Sequence, residues 1–173
     1  MGHLTVSSPI GELTIFEENG AIVALEWGRA VPPVGGRKTE SPRAAKLLSR
    51  AVRQLEEYFA GTRKTFDLPL RPAGTAFQRK VWARLSAIPF GATLTYGAIA
   101  KKLKSGARAV GTACGANPIP ILIPCHRVLG ADGRLGGYSG EGGVATKQFL
   151  LAHEAAPGAS CECMPTGMTA PKT

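Results

Sequence analysis

The segment Ile121-Leu122-Ile123-Pro124-Cys125-His126-Arg127-Val128 restricts the folding of this chain more than any other. An apolar run is halted by a proline, which fixes its own φ and pushes Ile123 towards an extended conformation. The segment therefore predicts a strand-like run that stops at a stiff turn and presents Cys125 in a set direction. A histidine beside a cysteine, with an acid supplied from elsewhere, can turn a thiol into a nucleophilic thiolate. The plain alternative is a buried cysteine packed as a small hydrophobe.

A length of 173 residues accommodates one domain or two small ones, and 44% hydrophobic residues are enough for a buried core. No stretch approaches the roughly 20 apolar residues of a membrane helix. The N-terminus lacks the basic-then-apolar design of a signal peptide. Val6 stands where a myristoylation motif starting at Gly2 needs Ser or Thr. A cytoplasmic protein is expected, associated with the nucleoid in a bacterium or nuclear in a eukaryote. In such a reducing setting Cys114, Cys125, Cys161 and Cys163 are not expected to form disulfides, and their spacing is not that of a zinc site. Cys161 and Cys163 lie in a tail, 156–173, whose Ala, Gly, Pro and Thr content predicts disorder.

The net charge of +9 is unevenly spread. Residues 1–74 carry ten Lys/Arg against eight Asp/Glu, whereas residues 75–155 carry ten against three. A basic second half suits a polyanion such as nucleic acid, although simple solubility would produce the same imbalance.

Periodicity divides the chain in the same place. Leu4–Ser7 and Leu13–Phe16 flank the turn Ser8-Pro9-Ile10-Gly11, and Asn19-Gly20 leads into a third strand, 22–27. A loop rich in Pro, Gly and basic residues runs from Gly28 to Glu40. Ser41-Pro42 then supplies an N-cap and a first-turn proline to a helix whose apolar residues recur until Gly61. Residues 1–62 are read as a supporting sheet with a covering helix, 63–74 as a linker, and 75–155 as the functional domain. Within the last, a helix follows Thr75, with Phe77, Val81, Trp82, Leu85 and Ile88 on its apolar face. Two short helices, from Tyr96 and from Ala107, are joined by a Gly-containing turn in a helix-turn-helix pattern.

The second of these short helices is unusually slim. Ala107, Ala109, Gly111, Thr112, Ala113 and Gly115 surround one long side chain, Arg108. Helix-interior glycine costs about 1 kcal/mol relative to alanine. Either close packing inside the protein or close approach to another molecule explains such thinness. Further on, Gly136 to Gly143 form a loop whose amides and Tyr138 could hold a flat ligand. A last helix, 144–154, is expected to bury Phe149, Leu150 and Leu151.

Together these residues resemble the O6-alkylguanine-DNA alkyltransferases. The likeness rests on Thr75-Ala76-Phe77-Gln78 with Val81-Trp82, Thr95-Tyr96-Gly97, Ala107-Arg108-Ala109-Val110-Gly111, Ala116-Asn117-Pro118, Ile123-Pro124-Cys125-His126-Arg127-Val128, Gly137-Tyr138-Ser139-Gly140 and Leu150-Leu151-Ala152-His153-Glu154. The resemblance implies an α/β (α+β) fold: a small antiparallel sheet with a covering helix, ribonuclease H-like, followed by a helical, winged-helix-like domain with a helix-turn-helix. It implies irreversible, single-turnover transfer of an alkyl group from guanine O6 in DNA to Cys125. His126 would activate Cys125 through a water, Glu154 would orient His126, and Asn117 would shape the turn before the active-site strand. Tyr96, Val128, Tyr138, Ser139 and Cys114 would line the base pocket. Arg108 would fill the gap left by the extruded nucleotide, with Thr95, Tyr96, Ala107, Ala109 and Gly111 against the minor groove.

The resemblance further implies a protein that is monomeric, or cooperative on DNA, and that uses no metal or organic cofactor. Some relatives bind zinc through N-terminal Cys and His, but residues 1–74 contain no cysteine and only His3. Two rivals remain at this level. A lesion sensor without transfer activity would have no need of Cys125, and a Cys-His-Glu hydrolase would leave the Arg108 helix unexplained.

Overall fold

Three strands occupy the first 27 residues in the computed structural model: β1 (Gly2–Ser8), β2 (Gly11–Glu18) and β3 (Ala21–Trp27). The structure describes residues 1–29, 41–138, 140 and 142–155. Most of the loop expected at 28–40, the tail with Cys161 and Cys163, and Ser139 and Glu141 lie outside the described residues.

The three strands form an antiparallel sheet in the order β1-β2-β3, with Leu4 opposite Ile15 and Leu13 opposite Trp27. Val6, Leu13, Ile15, Ile22 and Leu25 are buried. Helix α1 (Pro42–Phe59) packs on β1 and β2. Its start follows the sequence logic: the Ser41 hydroxyl accepts from the Ala44 N–H at 3.2 Å, and Pro42 holds the first position. Its inward face carries Ala44, Leu47, Leu48, Ala51, Leu55 and Tyr58, and a fully buried Leu is worth about 1.5–3 kcal/mol. Two further segments run beside β3. Ile22 N–H donates to Pro69 O and Arg71 N–H to Ile22 O, both at 2.8 Å, so part of the expected linker pairs with the sheet. Leu25 N–H donates to Pro118 O at 2.9 Å, and residues 117–122 group with 1–75 as one unit.

The second unit comprises 76–116 and the described residues from Ile123 onward. It contains α2 (Ala76–Ser86), β4 (Leu94–Thr95), α3 (Tyr96–Leu103), α4 (Ala107–Gly115), β5 (Val128–Leu129) and α5 (Val144–Glu154). Trp82 is buried and its indole N–H donates to Ala113 O at 2.8 Å, tying α2 to α4. The Thr95 hydroxyl accepts from the Ala98 N–H at 3.1 Å and so caps α3. Lys104 adopts a left-handed conformation, φ 51°, that ends α3 and turns the chain into α4. Strands β4 and β5 pair in parallel, Leu94 opposite Val128 and Thr95 opposite Leu129. That pairing sets the start of α3 beside the end of the Cys125 turn.

Two sequence expectations need correction. The run before Cys125 is not a strand: Ile121 has φ +71° and Leu122 N–H donates back to Pro120 O at 2.9 Å. Pro118, Pro120 and Pro124 remove three ladder donors within seven residues, and the chain bends instead. In α5 the inward residues are Thr146, Lys147, Leu150 and Glu154. Phe149 is 38% exposed and stacks on His153, with ring centroids 6.2 Å apart. The helix turns a lysine and a glutamate inward and leaves an aromatic ring outside. Among the described residues, no helix is long and apolar enough to cross a membrane.

Candidate active site

Pro124, at φ −80° and ψ 69°, makes a three-residue turn closed by Cys125 N–H donating to Ile123 O at 2.8 Å. Cys125–Arg127 follow as a single 3-10 turn, with Arg127 N–H donating to Pro124 O at 3.1 Å. Two consecutive tight turns fix the directions of Cys125, His126 and Arg127, all of them buried.

His126 Nε2 lies 2.7 Å from Glu154 Oε1, in a site where His126 is 0% and Glu154 1% exposed. Arg127 grips the same carboxylate twice, through Nε to Oε2 at 2.8 Å and Nη2 to Oε1 at 2.9 Å. Its Nη1 donates to Ile88 O at 2.6 Å, and Gly91 N–H reaches Oε2 at 3.4 Å. Burial alone would raise the Glu154 carboxyl, but hydrogen bonds from His126 and Arg127 outweigh it and hold the group at about 2. Glu154 is therefore an anion, and an anionic carboxylate only accepts. The proton between the pair belongs to His126 Nε2. Burial drives the imidazole below its usual value despite Glu154, so the ring rests neutral. A neutral ring protonated at Nε2 has a bare Nδ1, and that atom is buried with no partner among the described residues. The arrangement yields a base aimed away from its own anchor.

Cys125 opens on a cavity of about 480 Å³ lined by Tyr96, Gly111, Cys114, Gly115, Cys125, Gly136, Gly137 and Tyr138. Burial pushes the Tyr138 phenol well above its usual range, and the Cys125 charge and a hydrogen bond with Cys125 push it further. Tyr96 is likewise pushed up to about 12, by burial first and then by Cys114 and Cys125. Both phenols stay protonated at neutral pH, hence able to donate. A methyl group added at Gly136 would meet the Tyr96 ring at 3.3 Å, so this glycine lets the loop close on the ring.

Two functional residues escaped the sequence reading. Lys147 is fully buried, donates from Nζ to Val128 O at 2.6 Å and lies 5.7 Å from the Tyr96 ring centre. Burial lowers its pKa, while Cys125 and Cys114 oppose that shift, which places the ammonium near both sulfurs. Arg127, named only as part of a motif, keeps Glu154 ionised. The available signal was the seven-residue spacing of Lys147 and Glu154 through Leu150, which puts two charges on one inward face. Both basic groups also reduce the surface charge read from composition, since neither faces solvent.

The other expected residues are distributed as follows. Ala107, Arg108 and Ala109 are exposed at the start of α4. Among the described residues, a Cβ at Gly111 would meet the Tyr96 ring only at 4.0 Å, and at Gly115 it would meet nothing within 4 Å. Close packing against the described residues therefore does not require either glycine. Thr95 spends its hydroxyl on the α3 cap. Asn117 belongs to the first unit, where its Oδ1 accepts from Ile119 N–H at 3.0 Å in a local turn. Ser139 lies outside the described residues.

Family models match both parts of the chain. The 6-O-methylguanine DNA methyltransferase ribonuclease-like domain matches residues 2–72, and the DNA binding domain of the same family matches 76–156. The methylated-DNA–protein-cysteine methyltransferase of Mycolicibacterium paratuberculosis is 46% identical over 155 residues, 88% of this chain and 91% of that protein. The constitutive Bacillus subtilis protein of that name is 42% identical over 159 residues, 86% and 92% of the two chains. The fold is similar to a crystal structure of Mycobacterium tuberculosis OGT in complex with DNA, with TM-score 0.77 and 42% identity over 90% of this chain and 94% of that one.

Proposed function

The chain belongs to the 6-O-methylguanine DNA methyltransferase family, and from that premise we propose that Cys125 is its alkyl acceptor. The protein binds DNA and repairs it by transferring an alkyl group to one of its own cysteines. The observation that carries the assignment to Cys125 is the bare, buried Nδ1 of a His126 fixed by Glu154, one residue from a thiol that opens on the cavity.

Nδ1 takes the Cys125 proton through a water. The charge then formed on His126 faces the Glu154 carboxylate at 2.7 Å, the stabilisation that a buried acid provides in catalytic triads. Lys147 and the Tyr138 phenol steady the thiolate. Its sulfur attacks the alkyl carbon in line, an S–C bond forms, the C–O6 bond breaks, and the electron pair stays on guanine, which takes up one proton. Tyr96 donates a hydrogen bond to the departing base. Because the thioether does not revert, each molecule acts once.

The alkylated guanine is buried in a stacked duplex and must be extruded, at a cost of a few kcal/mol. Helix α4 enters the minor groove, where its small residues permit close approach and Arg108 occupies the vacated stack. The room left beside Gly111 and Gly115 supports this reading, because the slimness of α4 serves something outside the described residues. Tyr138, the Val128 backbone and Cys114 wall the base pocket, Asn117 sets the turn after α4, and the protein acts as a monomer. Incubation with an equimolar duplex containing O6-methylguanine should add one methyl mass to the Cys125 peptide and restore guanine. An unmodified Cys125 beside repaired DNA refutes the assignment.

A further inference from the structure

Cys114 has only a wall position in the transfer reaction, yet it lines the same cavity as Cys125. It sits near the end of α4, while Cys125 sits on the Pro124 turn, so separate elements bring the two thiols to one space. Each is about 5% exposed. Burial first, and then the charge of Cys125, push Cys114 up to about 12, so Cys114 keeps its proton while Cys125 is the one served by a base. The buried ammonium of Lys147 lies near both. A thiol beside a base, with a second, protonated thiol facing the same cavity, is the arrangement of an attacking and a resolving cysteine.

We propose that Cys114 and Cys125 form a dithiol site for peroxides, in which oxidation of Cys125 ends in a Cys114–Cys125 disulfide. In the first step the Cys125 thiolate attacks one oxygen of hydrogen peroxide. The O–O bond breaks, a sulfenic acid forms on Cys125 and hydroxide departs. In the second step the Cys114 sulfur attacks the Cys125 sulfur, its proton leaves with the hydroxyl as water, and an S–S bond forms. The two sulfurs lose two electrons in total and the peroxide gains them. The bond ties α4 to the nucleophile turn, closes the cavity and removes the acceptor from service. A cellular thiol can reverse it, whereas sulfinic and sulfonic acids on Cys125 would be permanent losses. For a protein that reacts once, such a cap preserves unused molecules through oxidative stress.

The test uses the whole chain, hydrogen peroxide at a small molar excess, and no DNA. Intact mass should fall by two hydrogens, and peptide mapping should join the Cys114 and Cys125 peptides. Alkyl transfer measured afterwards should drop to background and return with dithiothreitol. In Cys114→Ser, or in Cys114→Ala should the first variant not fold, Cys125 should instead gain two oxygens, which dithiothreitol does not remove. A wild-type protein whose Cys125 gains two oxygens without a cross-linked peptide overturns the proposal, as does linkage of Cys125 to Cys161 or Cys163. A protein that forms the bond but never accepts a methyl group refutes the transfer reading alone.

Discussion

The two units treat buried polar groups in opposite ways. In the first, each is consumed by local structure: Glu17 accepts from the Gly20 N–H at 2.6 Å, Thr14 donates to Gly28 O at 2.8 Å, and Gln54 accepts from the Asp67 N–H at 2.9 Å. In the second, His126, Arg127, Lys147 and Glu154 are charged or titratable, and one nitrogen among them is left without a described partner. Burying ions is a weak way to gain stability, because desolvation can exceed the attraction. The first unit's polar groups thus complete a fold. Those of the second fix the imidazole next to Cys125, the arrangement on which the proposed transfer depends.

That contrast is broken most severely at the proposed nucleophile. Cys125→Ser should take transfer to background while leaving DNA binding, measured by gel shift at fixed salt, nearly unchanged. Next in size, Glu154→Gln should slow transfer by about 10²–10⁴, in line with loss of the orienting acid in a triad. It should also destabilise the protein by about 3–5 kcal/mol, since Arg127 is left buried without its anion. Gln54→Ala, the matched change in the first unit, should lower stability by about 1–3 kcal/mol in urea unfolding and leave the transfer rate of the folded protein alone.

Acid provides a separate handle on the comparison. The Glu154 carboxyl is held below its unfolded value, so its contribution is complete above that value and disappears as pH falls towards about 2. His126 is also lowered, so the unfolded chain binds its proton first and stability begins to fall below about pH 6.5. Chemical denaturation from pH 7 to 2 should show both losses in the wild type. Glu154→Gln should lack the lower one.

Smaller effects sharpen the reading of α4 and Lys147. Lys147→Met removes a buried cation near both thiols and should move the pH–rate profile of transfer upward by about one unit, a tenfold loss near neutrality. A profile that keeps its position would confine Lys147 to holding Val128 O. Gly111→Ala has room for its methyl group and should stabilise the protein by up to about 1 kcal/mol. It should nonetheless slow repair in duplex several-fold, and leave reaction with free O6-benzylguanine less affected. Arg108→Ala should show the same division, and equal slowing in both assays would reject its role in extrusion.

The sequence made the chemistry legible wherever residues are adjacent or regularly spaced. Cys125-His126 lie side by side, the α1 cap is written in Ser41-Pro42, and the three strands follow from alternation and turns. What stayed hidden depends on the third dimension. Periodicity assigned Phe149 to the interior because it is apolar, yet the inward face of α5 is set by partners for Lys147 and Glu154 on Val128 and Arg127. The bend at Ile121 was equally hidden, because three prolines outweighed the extended preference of the residues between them. Arg127 is invisible as an anchor until Ile88 and Glu154 arrive from distant segments.

The account rests on a neutral His126 whose Nδ1 is the proton acceptor for Cys125. Nitrogen-15 NMR of the labelled imidazole in the resting protein tests this directly. The expected spectrum has a protonated Nε2 and a bare Nδ1 at pH 7, with the ring unprotonated well below the usual imidazole range. A ring that carries its proton on Nδ1, or one already charged at pH 7, contradicts it.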